Sequence, residues 1–205
     1  MKLIMELRQA GVSDMDILKA IERTPRELFV PPIFADYAYE NAALPIDMGQ
    51  TISQPLVVAE MTRALELNDR IKILEIGTGS GYQSVVLSHL CRRVYTIERH
   101  RSLLGQAEQV FRHLKRHNIT TMCGDGAKGW PEQAPFERIL VTAVAHDIPP
   151  VLSDQLSIGG IMVLPVGDDP ASQTLLRVTR TEDGMDVEDL GDVRFVPLVG
   201  GPTRG

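Results

Sequence analysis

Glu75-x-Gly77-x-Gly79-x-Gly81 is the stretch of this sequence whose residue types and spacing say most about chemistry. The glycines come directly after an apolar strand pattern, 71–76, and lead into a helical one. Such a turn lets backbone approach a ligand closely and aims a helix amino-terminus at it. The dinucleotide pattern is G-x-G-x-x-G; here the third glycine comes one residue early and position 82 is Tyr. Glu75, placed just before the loop, would repel a pyrophosphate and suit a cation. Spacing and acid together favour S-adenosylmethionine, which carries a sulfonium and an ammonium but no phosphate. Gly77, Thr78, Gly79, Ser80 and Gly81 are then cofactor-binding residues, with Glu75 beside them. The plainer alternative is a tight strand–helix turn with no ligand.

These residues need a scaffold, and the rest of the sequence supplies one. Strand and helix patterns alternate through 55–168: strands at 71–76, 94–97, 120–123, 138–142 and 161–166, helices at 82–90, 102–117 and 150–156. That alternation predicts a parallel sheet covered on both faces, with right-handed crossovers. Such sheets bind ligands at the carboxyl ends of their strands. Those ends hold 77–81, Glu98 with Arg99, Asp125 with Gly126, and 142–147 beginning at Thr142. Glu98 can accept hydrogen bonds from both ribose hydroxyls, as acids at that place do in dinucleotide sites. Asp125, between Gly124 and Gly126, can meet the exocyclic amine of adenine.

Residues 1–54 read as short helices joined by turns. Leu3, Ile4 and Leu7 form one stripe, stopped by Gly11. Ser13 can cap a second helix carrying Ile17, Leu18 and Ile21 on one face. Thr24-Pro25-Arg26-Glu27 has the form of a capping box, and Pro31-Pro32 ends the short helix it would open. Gly49-Gln50-Thr51-Ile52-Ser53-Gln54-Pro55 is an uncharged string, after which Val58, Met61 and Leu65 share a helix face. Residues 169–205 read as carboxyl-terminal strands, with 186–199 near a peptide groove and Gly200-Gly201-Pro202 frayed. The expectation is one domain over 1–205: an extension or lid (1–54), a cofactor-binding core (55–168) and terminal strands (169–205).

Composition narrows the classes. The chain has 205 residues, 43% hydrophobic and 23% charged, which suits a globular domain with its own core. Lys and Arg number 21 against 27 acids, giving −6, with a pI near 5.4. That removes the footprint of a general nucleic-acid binder. No apolar run approaches the ~18 residues of a membrane span, and Glu6 comes too early for a signal peptide. Cys91 and Cys123 have neither disulfide-framework nor metal spacing, and read as small buried hydrophobes. His113 and His117, four apart on the expected helix, lack the intervening acid of a zinc motif and sit among Arg112, Lys115 and Arg116. No metal is expected. A cytoplasmic protein, monomeric, with no nucleic-acid or membrane partner, is the expectation.

Across nearly its whole length the chain resembles the protein-L-isoaspartate (D-aspartate) O-methyltransferase family. The likeness rests on Pro25-Arg26-Glu27 with Phe29-Val30-Pro31, Leu44-Pro45-Ile46, the uncharged string 49–55, Leu74-Glu75-Ile76-Gly77-Thr78-Gly79-Ser80-Gly81-Tyr82-Gln83, Tyr95-Thr96-Ile97-Glu98, Gly124-Asp125-Gly126 and Val193-Arg194-Phe195-Val196-Pro197-Leu198. The glycine loop alone would say only methyltransferase; the Gly-Gln-Thr-Ile-Ser-Gln-Pro string is far more specific. The resemblance implies an α/β, Rossmann-like S-adenosylmethionine-dependent methyltransferase fold, a doubly wound, mostly parallel sheet with an amino-terminal helical extension. It implies methylation of the free α-carboxylate of isoaspartyl residues in damaged proteins and peptides, which starts repair through a succinimide. By the same resemblance Ser53 matches the catalytic serine, Thr51, Ile52 and Ser53 line the cleft, Glu98 binds ribose, and Asp125 and Gly126 hold adenine. His146, where the family usually has proline or a small uncharged residue, would face the substrate.

The implied chemistry suits these residue types. A free α-carboxyl titrates near about 3.5 and is ionised at neutral pH, so no strong base is needed. A hydroxyl such as Ser53 can orient one oxygen without the tight ion pairing that would blunt its attack. Without the resemblance, Ser53 could equally be a helix-start residue before Pro55, and Thr51 a turn or packing residue. Three other readings stay open here: a methyltransferase of small-molecule acids, a cofactor-binding module without transfer, and, weakest, a nucleotide-dependent oxidoreductase.

Overall fold

The computed structural model describes residues 2–169 and 171–201. Two short helices come first, α1 (Lys2–Gln9) and α2 (Met15–Glu22). Asp14, not Ser13, caps α2: its Oδ1 accepts from the backbone N–H groups of Asp16 and Ile17 at 2.9 and 3.1 Å. The expected capping box does not form either. Thr24 Oγ1 donates back to the Ala20 carbonyl at 2.7 Å, and Glu27 accepts from the Tyr39 hydroxyl. With Pro31-Pro32 so close, the segment makes only a 3-10 turn, Arg26–Phe29, then a second, Pro32–Tyr37. Next comes a two-rung hairpin, β1 (Leu44–Pro45) against β2 (Thr51–Ile52). Pro55, at the first helical position where its missing N–H costs nothing, opens α3 (Pro55–Ala64), and Val58, Met61 and Leu65 are buried as their spacing predicts.

The remaining elements form the core: β3 (Lys72–Ile76), α4 (Tyr82–Ser88), β4 (Arg93–Glu98), α5 (Arg101–His113), β5 (Ile119–Cys123), β6 (Phe136–Val141), α6 (Pro150–Asp154), β7 (Leu156–Asp169), β8 (Ser172–Arg180) and β9 (Met185–Val193). The sheet order is β5-β4-β3-β6-β7-β8-β9. The first four pairings are parallel and the last two antiparallel. Strand order reverses between β3 and β6, which makes the gap beyond their carboxyl ends the natural ligand crevice.

Alternation along β3 divides the core. Ile73 packs with Met61, Leu87 and Val163 on one face, and Leu74 and Ile76 with Ile139, Leu152 and Leu164 on the other. The amino-terminal helices join a third cluster with Phe29, Ile52, Val58 and the α4–α5 pair. The amino-terminal segment is therefore built into the hydrophobic core rather than appended to it.

Several boundaries differ from expectation. α4 stops at Ser88, and α5 stops at His113 instead of running to 117. Lys115 takes a left-handed φ of 53°, and Arg116 turns inward to donate to Ser88 Oγ and the Ser88 carbonyl at 2.9 and 2.7 Å. His113 and His117 thus share no helix. The strand β9 lies at the far edge of the sheet, so of 186–199 only the last few residues approach the crevice.

Candidate active site

The crevice beyond β3 and β6 encloses about 870 Å³, counting the part open to solvent. Its floor is the glycine loop. Gly77 and Thr78 extend the ladder, both N–H groups donating to the Ile97 carbonyl at 2.8 and 3.3 Å. Gly77 has φ +95°, and a Cβ there would lie 2.4 Å from Thr142 Oγ1; at Gly81, φ +88°, it would lie 2.6 Å from the Phe111 ring. Only glycine allows the loop to turn this tightly between β6 and α5. Thr142 Oγ1 sits 2.9 and 2.7 Å from the Ile76 and Gly77 carbonyls, tying the loop to β6. Thr78 Oγ1 pairs with Thr96 Oγ1 at 2.7 Å, and Ser80 Oγ accepts from the Tyr82 N–H at 3.3 Å.

Glu98 is 5% exposed and lines this crevice. One carboxylate oxygen accepts from the Gly79 N–H and the other from the His100 N–H, both at 2.9 Å. Each oxygen keeps a second lone pair, so the group is fixed in direction yet able to accept a vicinal diol. Arg99 also lines the space and donates to the Val199 carbonyl, drawing the carboxyl-terminal segment over it. The lining also has two uncharged stretches: Gln50, Thr51, Ile52 and Ser53 from the hairpin, and 196–199 from the tail. A bridge between Val144 and Pro197 holds that tail in place.

These features fit S-adenosylmethionine. The backbone floor leaves no side chain at Gly79, where the nearest atom to a built Cβ is Ile46 Cδ1 at 3.9 Å. The fixed carboxylate of Glu98 suits a ribose, and the neutral wall suits a sulfonium that is about to lose its charge.

A family model described as Protein-L-isoaspartate(D-aspartate) O-methyltransferase matches residues 1–203. The chain belongs to that family. A protein-L-isoaspartate O-methyltransferase of Rhodospirillum rubrum is 64% identical over 206 residues, covering 99% of this chain and 94% of the relative. A solved protein-L-isoaspartate O-methyltransferase superposes with a TM-score of 0.87 at 29% identity, over 98% of this chain and 66% of that longer one. A β-aspartate methyltransferase of Plasmodium falciparum, in complex with S-adenosyl-L-homocysteine, has the same fold: TM-score 0.83 at 24% identity, with 97% of each chain covered.

In this isoaspartyl methyltransferase chain the crevice gathers Thr51, Ile52, Ser53, Gly77, Thr78, Gly79, Ser80, Glu98, Arg99, Gly126 and Thr142 along its walls. Glu75 lies elsewhere. Strand alternation turns it away from the crevice, under α4, where it is fully buried. Its Oε2 accepts from Ser84 Oγ and, at 2.6 Å, from Thr96 Oγ1, while Oε1 has no partner among the described residues. Burial pushes its carboxyl up to about 7, against the opposing effect of the two hydroxyls. It braces the loop from below and does not face a cation.

Asp125 is likewise outside the lining. Its Oδ1 accepts from the Ala127 N–H at 3.0 Å and its Oδ2 from the Gly201 N–H at 2.9 Å, so it caps a turn and ties down the tail. The expected fraying at 200–202 is thus replaced by a contact at Gly201; Pro202 lies outside the described residues. His146 is exposed, pairs with Asp168 on the surface and is not among the crevice's lining residues. Gly81 sits behind the loop against Phe111. Cys91 is buried, its thiol pushed up to about 12 by desolvation, and Cys123 is half-buried. No cluster of potential metal ligands occurs among the described residues.

Sequence reasoning missed Tyr82 and His100 as lining residues, and of the expected 186–199 only 196–199 reach the crevice. It also missed Arg26, an arginine of the amino-terminal segment that is 0% exposed. The only available signal for Arg26 was its place in the Pro-Arg-Glu string.

Proposed function

We propose that this crevice transfers a methyl group from S-adenosylmethionine to the free α-carboxylate of an isoaspartyl residue, with Ser53 orienting the accepting oxygen. The cofactor supplies an electrophilic methyl carbon on a sulfonium. Glu98, held by two backbone N–H groups, takes the ribose; the loop 77–80 supports the amino-acid portion; Gly126 and Arg99 border the adenine end. Family membership supports the reaction class, and the carrying observation is that Ser53 lines the same crevice as the glycine loop.

No base is needed, because the acceptor is already ionised. The chain's tasks are to hold it, align it and exclude water. Opposite charges cancel as the methyl moves, so a dry neutral wall helps, and placing the oxygen ~3 Å from the methyl carbon supplies much of the rest. Gln50, Thr51 and Ile52 offer polar or apolar surface without charge, and the tail 196–199 adds more uncharged lining. A serine hydroxyl donates one modest hydrogen bond, enough to point a carboxylate oxygen without neutralising it.

The methyl ester that results can expel methoxide, which takes the amide proton and leaves as methanol, where the free carboxylate would have to expel oxide. The adjacent backbone nitrogen can then close a succinimide, which water opens to either linkage. We read the chain as one domain with 1–54 as its lid, acting as a cytoplasmic monomer on damaged proteins and peptides. Two free thiols support a reducing compartment, and no helix among the described residues is long and apolar enough to cross a membrane.

Labelled methyl transfer to matched peptides, differing only in normal or iso linkage, tests the assignment. Label is expected on the iso peptide alone. Equal labelling of both, or labelling only of small free acids, would overturn it.

A further inference from the structure

We propose that Arg26 is a positioning residue that sets Ser53 in the crevice wall by clamping both ends of the hairpin that carries it; this rests on the role given to Ser53 above. Arg26 sits on a four-residue 3-10 turn and is 0% exposed. Its Nη2 donates to the Ser53 carbonyl at 2.9 Å and to the Ala42 carbonyl at 3.3 Å. Those carbonyls lie just after β2 and just before β1, so one nitrogen gathers the two strands at their base. The hairpin has two paired rungs only, Leu44 with Ile52 and Pro45 with Thr51, too few to hold a shape alone.

The same guanidinium ties the hairpin to the glycine loop. Its Cζ lies 4.7 Å from the centre of the Tyr82 ring. Tyr82 is the first residue of α4, comes directly after Gly81, and lines the crevice. Arg26 thereby fixes the Ser53 backbone against the helix that starts under the cofactor.

Its burial is costly. None of the ion pairs among the described residues includes Arg26. Among the described residues, its Nε and Nη1 and the Tyr82 hydroxyl are buried with no well-formed hydrogen bond, the guanidinium and that hydroxyl lying close to each other. An apolar side chain would fill that space at less cost in desolvation. What an apolar side chain cannot do is reach two carbonyls while stacking on a ring. Lysine could donate but lacks the planar fork.

A double-mutant cycle separates positioning from a merely structural role. Turnover on an isoaspartyl peptide, peptide KM, S-adenosylhomocysteine affinity and melting temperature are measured for the wild type, R26M, R26K, S53A and the combined variants. R26M is expected to lower kcat at least about tenfold, with KM and S-adenosylhomocysteine affinity within about threefold. S53A should cost about tenfold in the wild type but under about threefold in the R26M background, and R26K should fall between R26M and the wild type. Should R26M fail to fold, the cycle is run with R26K, where the S53A penalty must still shrink. An unchanged S53A penalty in either Arg26 variant overturns the proposal alone. An S53A variant as active as the wild type overturns the Ser53 role and the proposal together.

Discussion

Replacing Glu75 with Gln should change how stability depends on pH, by an amount the structure sets. Burial beneath α4 raises the Glu75 carboxyl from 4.5 to about 7. Below pH 4.5 the group is protonated whether the chain is folded or not, and it carries no penalty. Between 4.5 and about 7 the unfolded chain releases its proton while the folded one keeps it, so stability falls. Above about 7 both states are ionised and the loss is constant. At about 1.4 kcal/mol per pH unit, the rise amounts to about 3 kcal/mol, of which about 2–3 kcal/mol falls between pH 5 and pH 8. Glu75→Gln removes this contribution. The fixed cost of placing an amide against Ser84 and Thr96 is the same at both pH values and cancels. Urea unfolding of both proteins at pH 5 and pH 8 provides the four free energies. The variant should gain about 2–3 kcal/mol on the wild type between the two conditions. An equal offset at both would mean that Glu75 is ionised in the fold, stabilised by its two hydroxyl donors, and would refute the reasoning.

Ser53→Ala should lower turnover at least about tenfold, near the worth of one hydrogen bond to a charged group, with cofactor affinity unchanged by calorimetry. Glu98→Ala should weaken S-adenosylhomocysteine binding about 10- to 100-fold, because it deletes a fixed acceptor and frees the Gly79 and His100 N–H groups; unaltered affinity would remove Glu98 from the ribose. Gly81→Ala forces a Cβ to 2.6 Å from the Phe111 ring at φ +88°. It should cost about 1–3 kcal/mol and lower the melting temperature by several degrees, read by circular dichroism.

The contrast between Glu98 and Glu75 shows how far spacing reaches. Both acids stand out in the sequence beside the glycine turn. Glu98 ends its strand, so its side chain has reached the crevice edge; Glu75 is one residue short of its strand's end, and alternation sends it to the opposite face. Asp125 does stand beyond a strand end, but the tail's Gly201 reaches it first. His146 comes after the strand β6 as expected, yet the adjacent bridge between Ala145 and Val166 leaves it beside Asp168 on the surface. The capping box failed because two prolines left no room for the helix it would have begun.

Local sequence decided the alternating elements, the glycine turn, the uncharged string and the acids beside them. Those are properties of neighbouring residues: periodicity, turn chemistry and strand ends arise from a few consecutive side chains. Only the tertiary structure decided which of these residues share a wall. The hairpin at 44–52 joins the glycine loop in one crevice because Arg26 and the amino-terminal helices pack into the core, and the tail at 196–199 joins it through a bridge to Val144. Contacts between residues so far apart along the chain depend on how layers stack, and side-chain packing between distant segments leaves no periodic trace in either one.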